Sequence, residues 1–343
     1  MKSHFISTKS AGLVLLVSAL ILPASAASLS FINYTTSNGL VNNVVNRVYV
    51  SGSNIYAGTS GGLSISSNGG SSWTNYTTAN GLAVNNVRGI YASGSNIYAA
   101  HQSNGLSIST NGGANWTNYT TSSGLVSNTV YNVHASGSAI YVATGGGLSI
   151  SSNGGASWTN YTTDNGLGSN IVNNVFVSGS NIYAATSSGV SISTDGGNNW
   201  SNYSTSDGLA NGNIYDVYAV GNNVYAAMLG GGLGISNDAG DTWTNYNTSN
   251  GLLSNGIYGV YVSDDKIYSA SAGGALGISS DGGNSWTNYT TSDGLGSNIV
   301  FDVFVSDGNV FAATSSGLSV AIPEPSISIM GFLGAAMLFR RKR

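Results

Sequence analysis

The sequence predicts an all-β chain folded as a seven-bladed β-propeller, with four antiparallel strands to a blade and the N-terminal strand completing the last blade. Three observations lead there. Trp recurs at 73, 116, 158, 200, 243 and 286, in steps of 42 or 43 residues, and a fixed period of that length marks a repeat array. Each unit divides into four short apolar or β-branched runs separated by Gly, Asn and Ser, which is the composition of strands and tight turns. Finally, the first and fourth runs are offset along the chain. The first run occurs seven times, beginning near Val44, Val87, Val130, Val172, Ile214, Ile257 and Val300, whereas the fourth runs from Phe31 to Trp286 in its seven copies.

One unit justifies the strands in order. Val44–Val50 is β-branched, and Ser51-Gly-Ser-Asn54 is a turn. Ile55–Thr59 is the second run, Ser60-Gly-Gly62 the second turn, and Leu63–Ser66 the third run. Asn68-Gly-Gly70 reads as a hairpin turn, because Gly tolerates the positive φ such turns need. Trp73–Thr77 is the fourth run. Gly, Asn, Ser and Thr are poor helix formers, and no long 3.6-residue period appears. Counting strands a to d outward from the centre, the blades fall near 44–77, 87–120, 130–162, 172–204, 214–247 and 257–290, with the last at 300–320 plus 31–35. The last unit lacks a fourth run, and the Phe31-Ile-Asn-Tyr34 segment supplies it. An open array would leave a raw sheet edge, which invites aggregation; closure removes it.

Composition bounds the chemistry. The chain has 343 residues, no Cys, 49 Gly, 9 Lys+Arg and 13 Asp+Glu. Disulfides and thiolate metal sites are therefore excluded. The body, 27–322, holds three cations (Arg47, Arg88 and Lys266) against 12 Asp, a net charge of −9. So acidic a body does not suit nucleic acid, whose phosphates require a basic face. No metal or other cofactor is expected.

The ends read as addresses. Residues 1–26 have a basic start at Lys2 and Lys9, an apolar Ala11–Leu22 and a small-x-small Ala24-Ser-Ala26, the layout of a signal peptide cut by signal peptidase. The alternative, an uncleaved anchor, needs roughly 20 apolar residues. Residues 323–343 carry Pro323-Glu324-Pro325, an apolar Ser326–Phe339 and the basic Arg340-Arg341-Lys342-Arg343. This order resembles the PEP-CTERM sorting signal. The resemblance implies export across the inner membrane of a Gram-negative bacterium that makes exopolysaccharide, transient anchoring in that membrane through the C-terminal segment, and processing by an exosortase. Its implied destination is the cell surface or the extracellular matrix.

Six turns follow Ser-x-Asn/Asp-x-Gly-x-x-Trp, with Asn68, Asn111, Asn153, Asp195, Asp238 and Asp281 at the third position. These Asp-box turns need a side-chain oxygen that accepts backbone N–H bonds, and either residue provides one. A metal or catalytic carboxylate would not tolerate the amide, so the role expected is structural. The Asn-Tyr-Thr-like segments of the fourth strand are read as structural too. The unit as a whole resembles Asp-box and YCF48-like propellers and the propeller repeats of two-component regulators. Those resemblances imply the fold and leave function open. Asp-box propellers include sialidases, but their arginine triad has no counterpart in a body with two Arg.

A site in a repeat array is sought where the repeats differ. Aligning strand a on Val48, Ile90, Val133, Val175, Val217, Val260 and Val303 leaves two variable positions ahead of it. One holds Arg47, Gly89, Asn132, Asn174, Asp216, Gly259 and Asp302; the other holds Asn46, Arg88, Tyr131, Asn173, Tyr215, Tyr258 and Phe301. The b–c connection differs at His101-Gln102. The candidate ligand site at the channel mouth is therefore Arg47, Arg88, His101, Gln102, Tyr131, Asn132, Asn174, Tyr215, Asp216, Tyr258 and Asp302, where amides and aromatic faces suit a polysaccharide segment. The expected function is that of an exported, non-enzymatic surface or matrix propeller. A carbohydrate-binding or ligand-sensing module is the second reading. A glycan-active hydrolase or lyase is the third, and it lacks a cluster of Glu, His or Arg to support it.

Overall fold

The computed structural model describes residues 29–322. The leader at 1–26 and the sorting segment at 323–343 lie outside the described residues. Seven four-stranded antiparallel sheets form the described body. Blade 1 consists of Val45–Ser51, Asn54–Thr59, Gly62–Ser66 and Thr74–Tyr76 as strands a to d. The last blade joins Val300–Ser306, Asn309–Thr314 and Gly317–Ile322 to Ser30–Tyr34, the first strand of the chain. Its register runs from Ser30 opposite Ile322 to Tyr34 opposite Leu318. The seven-bladed ring and its closure are thus as the strand offset predicts. Strand limits differ slightly: the first strand a starts at Val45 rather than Val44, and Trp73 precedes its strand d rather than opening it.

The core lies in the seams between blades. Each of seven clusters of buried side chains draws on two neighbouring blades. Across the closing seam, Val48 and Ile55 of blade 1 pack with Phe311 and Leu318 of blade 7. Trp wedges into these seams beside the Tyr of the preceding strand d, as in Tyr34–Trp73, whose ring centroids are 5.8 Å apart. Phe31 takes the Trp position in the last blade and meets Tyr289 at 5.9 Å. The contacts are edge-on, the geometry favoured by the ring quadrupole.

Polar side chains stitch the same seams. Asn75 donates Nδ2 to the Gly39 carbonyl of the preceding connection (2.9 Å) and accepts from Ser64 Oγ (2.7 Å). Asn33, Asn118, Asn160 and Asn202 repeat both bonds. In blades 5 and 6 the serine is replaced by Gly234 and Gly277, and Asn245 and Asn288 keep the bond to the neighbouring glycine carbonyl. In the Asp-box turns, Asn68 Oδ1 accepts from Ser66 Oγ (3.0 Å) and Ser72 N (2.9 Å). Asp238 Oδ1 accepts from Ser236 Oγ and Thr242 N, both at 2.8 Å. Amide and carboxylate do the same work, so the charge is not what the turn uses.

One local element goes beyond the sequence reading. Each d–a connection makes a single 3-10 turn, such as Thr36–Asn38. Thr35 caps it, Asn38 Oδ1 accepts from the Thr35 amide, and Gly39 ends it at φ 104. A left-handed φ there favours glycine, which lets the chain drop Leu40 into the seam, where it is 3 % exposed. Among the described residues no helix is long and apolar enough to cross a membrane.

Candidate functional site

The channel is lined by the seven a strands, and each of them begins with a β-bulge. In blade 1, Val45 pairs with Thr59 and Arg47 with Gly58, which leaves Asn46 unpaired. The same shift skips Arg88, Tyr131, Asn173, Tyr215, Tyr258 and Phe301. A bulge redirects side chains. Two consecutive residues per blade therefore serve the channel, where plain alternation would allow one. The two variable positions of the sequence form two layers.

The outer layer rims the mouth. A cavity of about 540 Å³ is lined by Asn46, Arg88, Tyr131, Asn173, Tyr215, Tyr258 and Phe301, together with Gln102, Arg47 and Asn132. Arg88 reaches across it from blade 2 to blade 5, donating to Tyr215 Oη at 3.1 Å and to Gln102 Oε1 at 3.1 Å. Tyr215 and Tyr258 pack edge-on at 5.1 Å, and Phe301 continues this wall 5.9 Å from Tyr258.

The inner layer is a polar belt across the channel. Arg47 Nη2 lies 3.5 Å from Asp216 Oδ1, and its Nε lies 3.4 Å from Asp302 Oδ2. The two carboxylates also accept backbone N–H bonds: Asp302 from Val48 (3.0 Å), Asp216 from Val260 (2.9 Å) and from its own neighbour Val217 (3.0 Å). Asn174 donates to Asp216, and Asn132 donates to Asn174 at 2.6 Å. Burial pushes the Asp302 carboxyl up to about 6, with Arg47 pulling it down and Asp216 pushing it up further. Burial raises Asp216 as well, against the pull of Arg47. Gly89 and Gly259 complete the belt; a Cβ at Gly89 would lie 2.7 Å from Asn132 Cα, so this position has no room for a side chain.

Beneath the belt is a cavity of about 240 Å³. Its floor is a closed ring of seven aromatic side chains: Tyr49, Tyr91, His134, Phe176, Tyr218, Tyr261 and Phe304. Neighbouring centroids are 4.6–5.4 Å apart all the way round. Burial lowers His134 to about 4, so it is a neutral ring among rings near pH 7.

The candidate residues therefore separate. Arg88, Gln102, Tyr131, Tyr215 and Tyr258 rim the mouth, and Arg47 and Asn132 touch both cavities. Asn174, Asp216 and Asp302 lie a layer deeper than expected and are 3–5 % exposed. His101 is a correction: it is fully buried inside its blade, 3.1 Å from the Asn86 carbonyl and 2.9 Å from Ser107 Oγ. It stands where Thr59 bonds the Gly62 carbonyl in blade 1, as an inward-facing brace of the b–c turn, and burial lowers it to about 4. The aromatic ring is a unit that the sequence reading does not assemble. Its signal was one aromatic residue per strand a, two places after the belt position. Among the described residues no three His, Asp or Glu are grouped to hold a metal ion.

Comparison with known proteins places the chain among propellers. Residues 97–247 match the family described as the DUF6242 beta propeller domain. No curated protein matches by sequence. The extracellular domain of a hybrid two-component system from B. thetaiotaomicron is 17 % identical with a TM-score of 0.72, over 87 % of this chain and 42 % of that one. YCF48 from Cyanidioschyzon merolae is 17 % identical with a TM-score of 0.63, over 85 % and 98 %. The GH74 enzyme of Niastella koreensis is 20 % identical with a TM-score of 0.59, over 82 % and 43 %. The chain thus spans less than half of the first and third of these proteins. At such identities the likeness is one of fold.

Proposed function

We propose that this chain is an exported, non-enzymatic propeller of the bacterial cell surface or extracellular matrix. In this reading it is processed by a signal peptidase and, at its C-terminus, by an exosortase, and it associates with exopolysaccharide through the channel mouth. One observation carries the reading: the inner acids are bound to Arg47 and to backbone amides, while the mouth above them presents aromatic faces, amides and one guanidinium. Acid–base catalysis of glycoside cleavage uses two carboxyl groups facing the scissile bond. Here Asp216 and Asp302 share one arginine beneath the mouth. Aromatic faces and amides are groups that hold sugar rings and hydroxyls. The extracellular setting of the B. thetaiotaomicron domain supports the assignment to the outside of the cell. Because that domain belongs to a two-component system, ligand sensing is the second reading of the same mouth.

The test is retention in the producing cell's own matrix. A chain with Arg88, Tyr131, Tyr215 and Tyr258 all replaced by Ala is expected to wash out of the polysaccharide fraction that keeps the parent. Removal of 323–343 is expected to change where the protein accumulates. Unchanged retention of the quadruple variant would refute the mouth as the attachment site, and unchanged localisation of the truncated chain would refute the sorting segment.

A further inference from the structure

The two arginines of the channel, Arg88 and Arg47, differ in their surroundings. Arg47, directly below, is matched by two carboxylates. Arg88 is half-buried on the mouth wall, and its bonds run to the neutral acceptors Gln102 Oε1 and Tyr215 Oη. These two neutral partners leave its positive charge uncompensated while they fix the direction of the guanidinium. Opposite, Tyr258 and Phe301 extend from Tyr215 as a continuous aromatic wall. Asn46 donates Nδ2 to the Val87 carbonyl (2.9 Å) and Asn173 donates to the Ile214 carbonyl (2.7 Å), so each keeps Oδ1 as an acceptor. The mouth therefore combines one oriented cation, a stacking wall and carbonyl acceptors in about 540 Å³.

Charge is also distributed by face. Strand a starts at the mouth, so the a–b and c–d turns lie on the far side. Those far turns hold Asp195, Asp238, Asp241, Asp264, Asp265, Asp281 and Asp307, seven of the 12 Asp. Two more are Asp216 and Asp302 of the belt, neutralised in part by Arg47. The remaining three, Asp164, Asp207 and Asp293, sit in the d–a connections on the mouth face, so seven of the 12 acids face away from Arg88 and three share its face.

We infer that the mouth is a site for an acidic sugar: the carboxylate of a uronic acid residue pairs with Arg88, its ring packs on the Tyr258–Phe301 wall, and its hydroxyls donate to Asn46 and Asn173. This rests on the proposal that the mouth holds exopolysaccharide, and it specifies which kind. A carboxylate matches the planar fork of a guanidinium in two parallel bonds. A hydroxyl-bearing ring uses the acceptors that an aliphatic carboxylate would leave idle.

The experiment is calorimetric titration of the full chain with a galacturonic acid hexamer and with the same hexamer fully methyl-esterified, which keeps the sugar and removes the charge. The acid form is expected to bind at least about 10-fold more tightly, since a charge-assisted bond of about 1.5–3 kcal/mol corresponds to one to two decades. Arg88→Gln should bring the two forms to equal affinity, and Arg88→Lys should restore part of the preference. Tyr258→Ala should weaken both forms alike. Equal binding of acid and ester by the parent, or a preference untouched in Arg88→Gln, overturns the acidic-sugar site while leaving polysaccharide attachment standing. Failure to bind either hexamer overturns the acidic-sugar site, while polysaccharide attachment is decided separately by the retention of the quadruple variant. Binding of a glutamate-rich hexapeptide in place of the sugars overturns the site as well.

Discussion

Deleting Ser30–Tyr34 is expected to abolish the folded ring. That strand contributes five register pairs to blade 7, from Ser30 opposite Ile322 to Tyr34 opposite Leu318. It also seats Phe31 against Tyr289 and Tyr34 against Trp73, so it joins blade 7 to both of its neighbours. Backbone bonds at about 1 kcal/mol each and two aromatic side chains at about 1.5–3 kcal/mol each give a loss on the order of 5–10 kcal/mol. This equals the whole stability of an ordinary domain. The exposed edge of Gly317–Ile322 would then pair with other chains, so the truncated protein should aggregate at temperatures where the parent stays in solution. A permutant carrying the same strand after Ile322, through a short turn, should recover solubility. Light scattering during a thermal ramp checks both. A truncated chain as stable as the parent would mean that closure is not what holds the ring.

Arg47→Met is the second large effect, with an expected loss of about 3–5 kcal/mol near pH 7.5, because it strands two buried carboxylates without their cation. The triple change Arg47→Met, Asp216→Asn and Asp302→Asn should recover most of that loss, since no uncompensated charge remains. The pH dependence has a definite sign. The Asp302 carboxyl sits at about 6 in the folded chain, above its ordinary 3.8. Between about 4 and 6 the folded state then binds more protons than the unfolded state. The contribution of this group to stability therefore falls as pH rises through that window. Without Arg47 the carboxyls rise further, so the deficit of Arg47→Met should shrink as the pH is lowered from 7.5 to 5. Urea denaturation at the two pH values measures it. A deficit that does not change with pH would show that Arg47 acts through packing alone.

The ring was legible in the sequence because its signals are local and repeated. The Trp step sets the unit, and the displaced Phe31 segment sets the closure. The interchange of Asn68 and Asp238 at one turn position already separated structure from chemistry, and both side chains accept the same two bonds. The mouth was legible only in part. Arg88, Tyr131, Tyr215 and Tyr258 stood out as departures from the repeat. That Arg47 meets Asp216, 169 residues away and across the channel, depends on the channel width, which no local pattern encodes. The bulge was hidden because an extra residue leaves the apolar spacing of strand a intact; its trace was two variable positions side by side. At His101 a departure from the repeat is structural and not functional. It replaces the buried end of strand b rather than the exposed turn, where Gln102 stands.

We propose that function resides at the bulged, mouth end of the channel and not at the Asp-box face. Hydrogen–deuterium exchange of the full chain, with and without the matrix polysaccharide of the producing cell, tests it most directly. Slowed exchange is expected at 46–48, 88–90, 131–133, 173–175, 215–217, 258–260 and 301–303, with the turns at 68–72, 195–199 and 238–242 unchanged. Protection confined to those Asp-box turns, or none at the mouth, would contradict it.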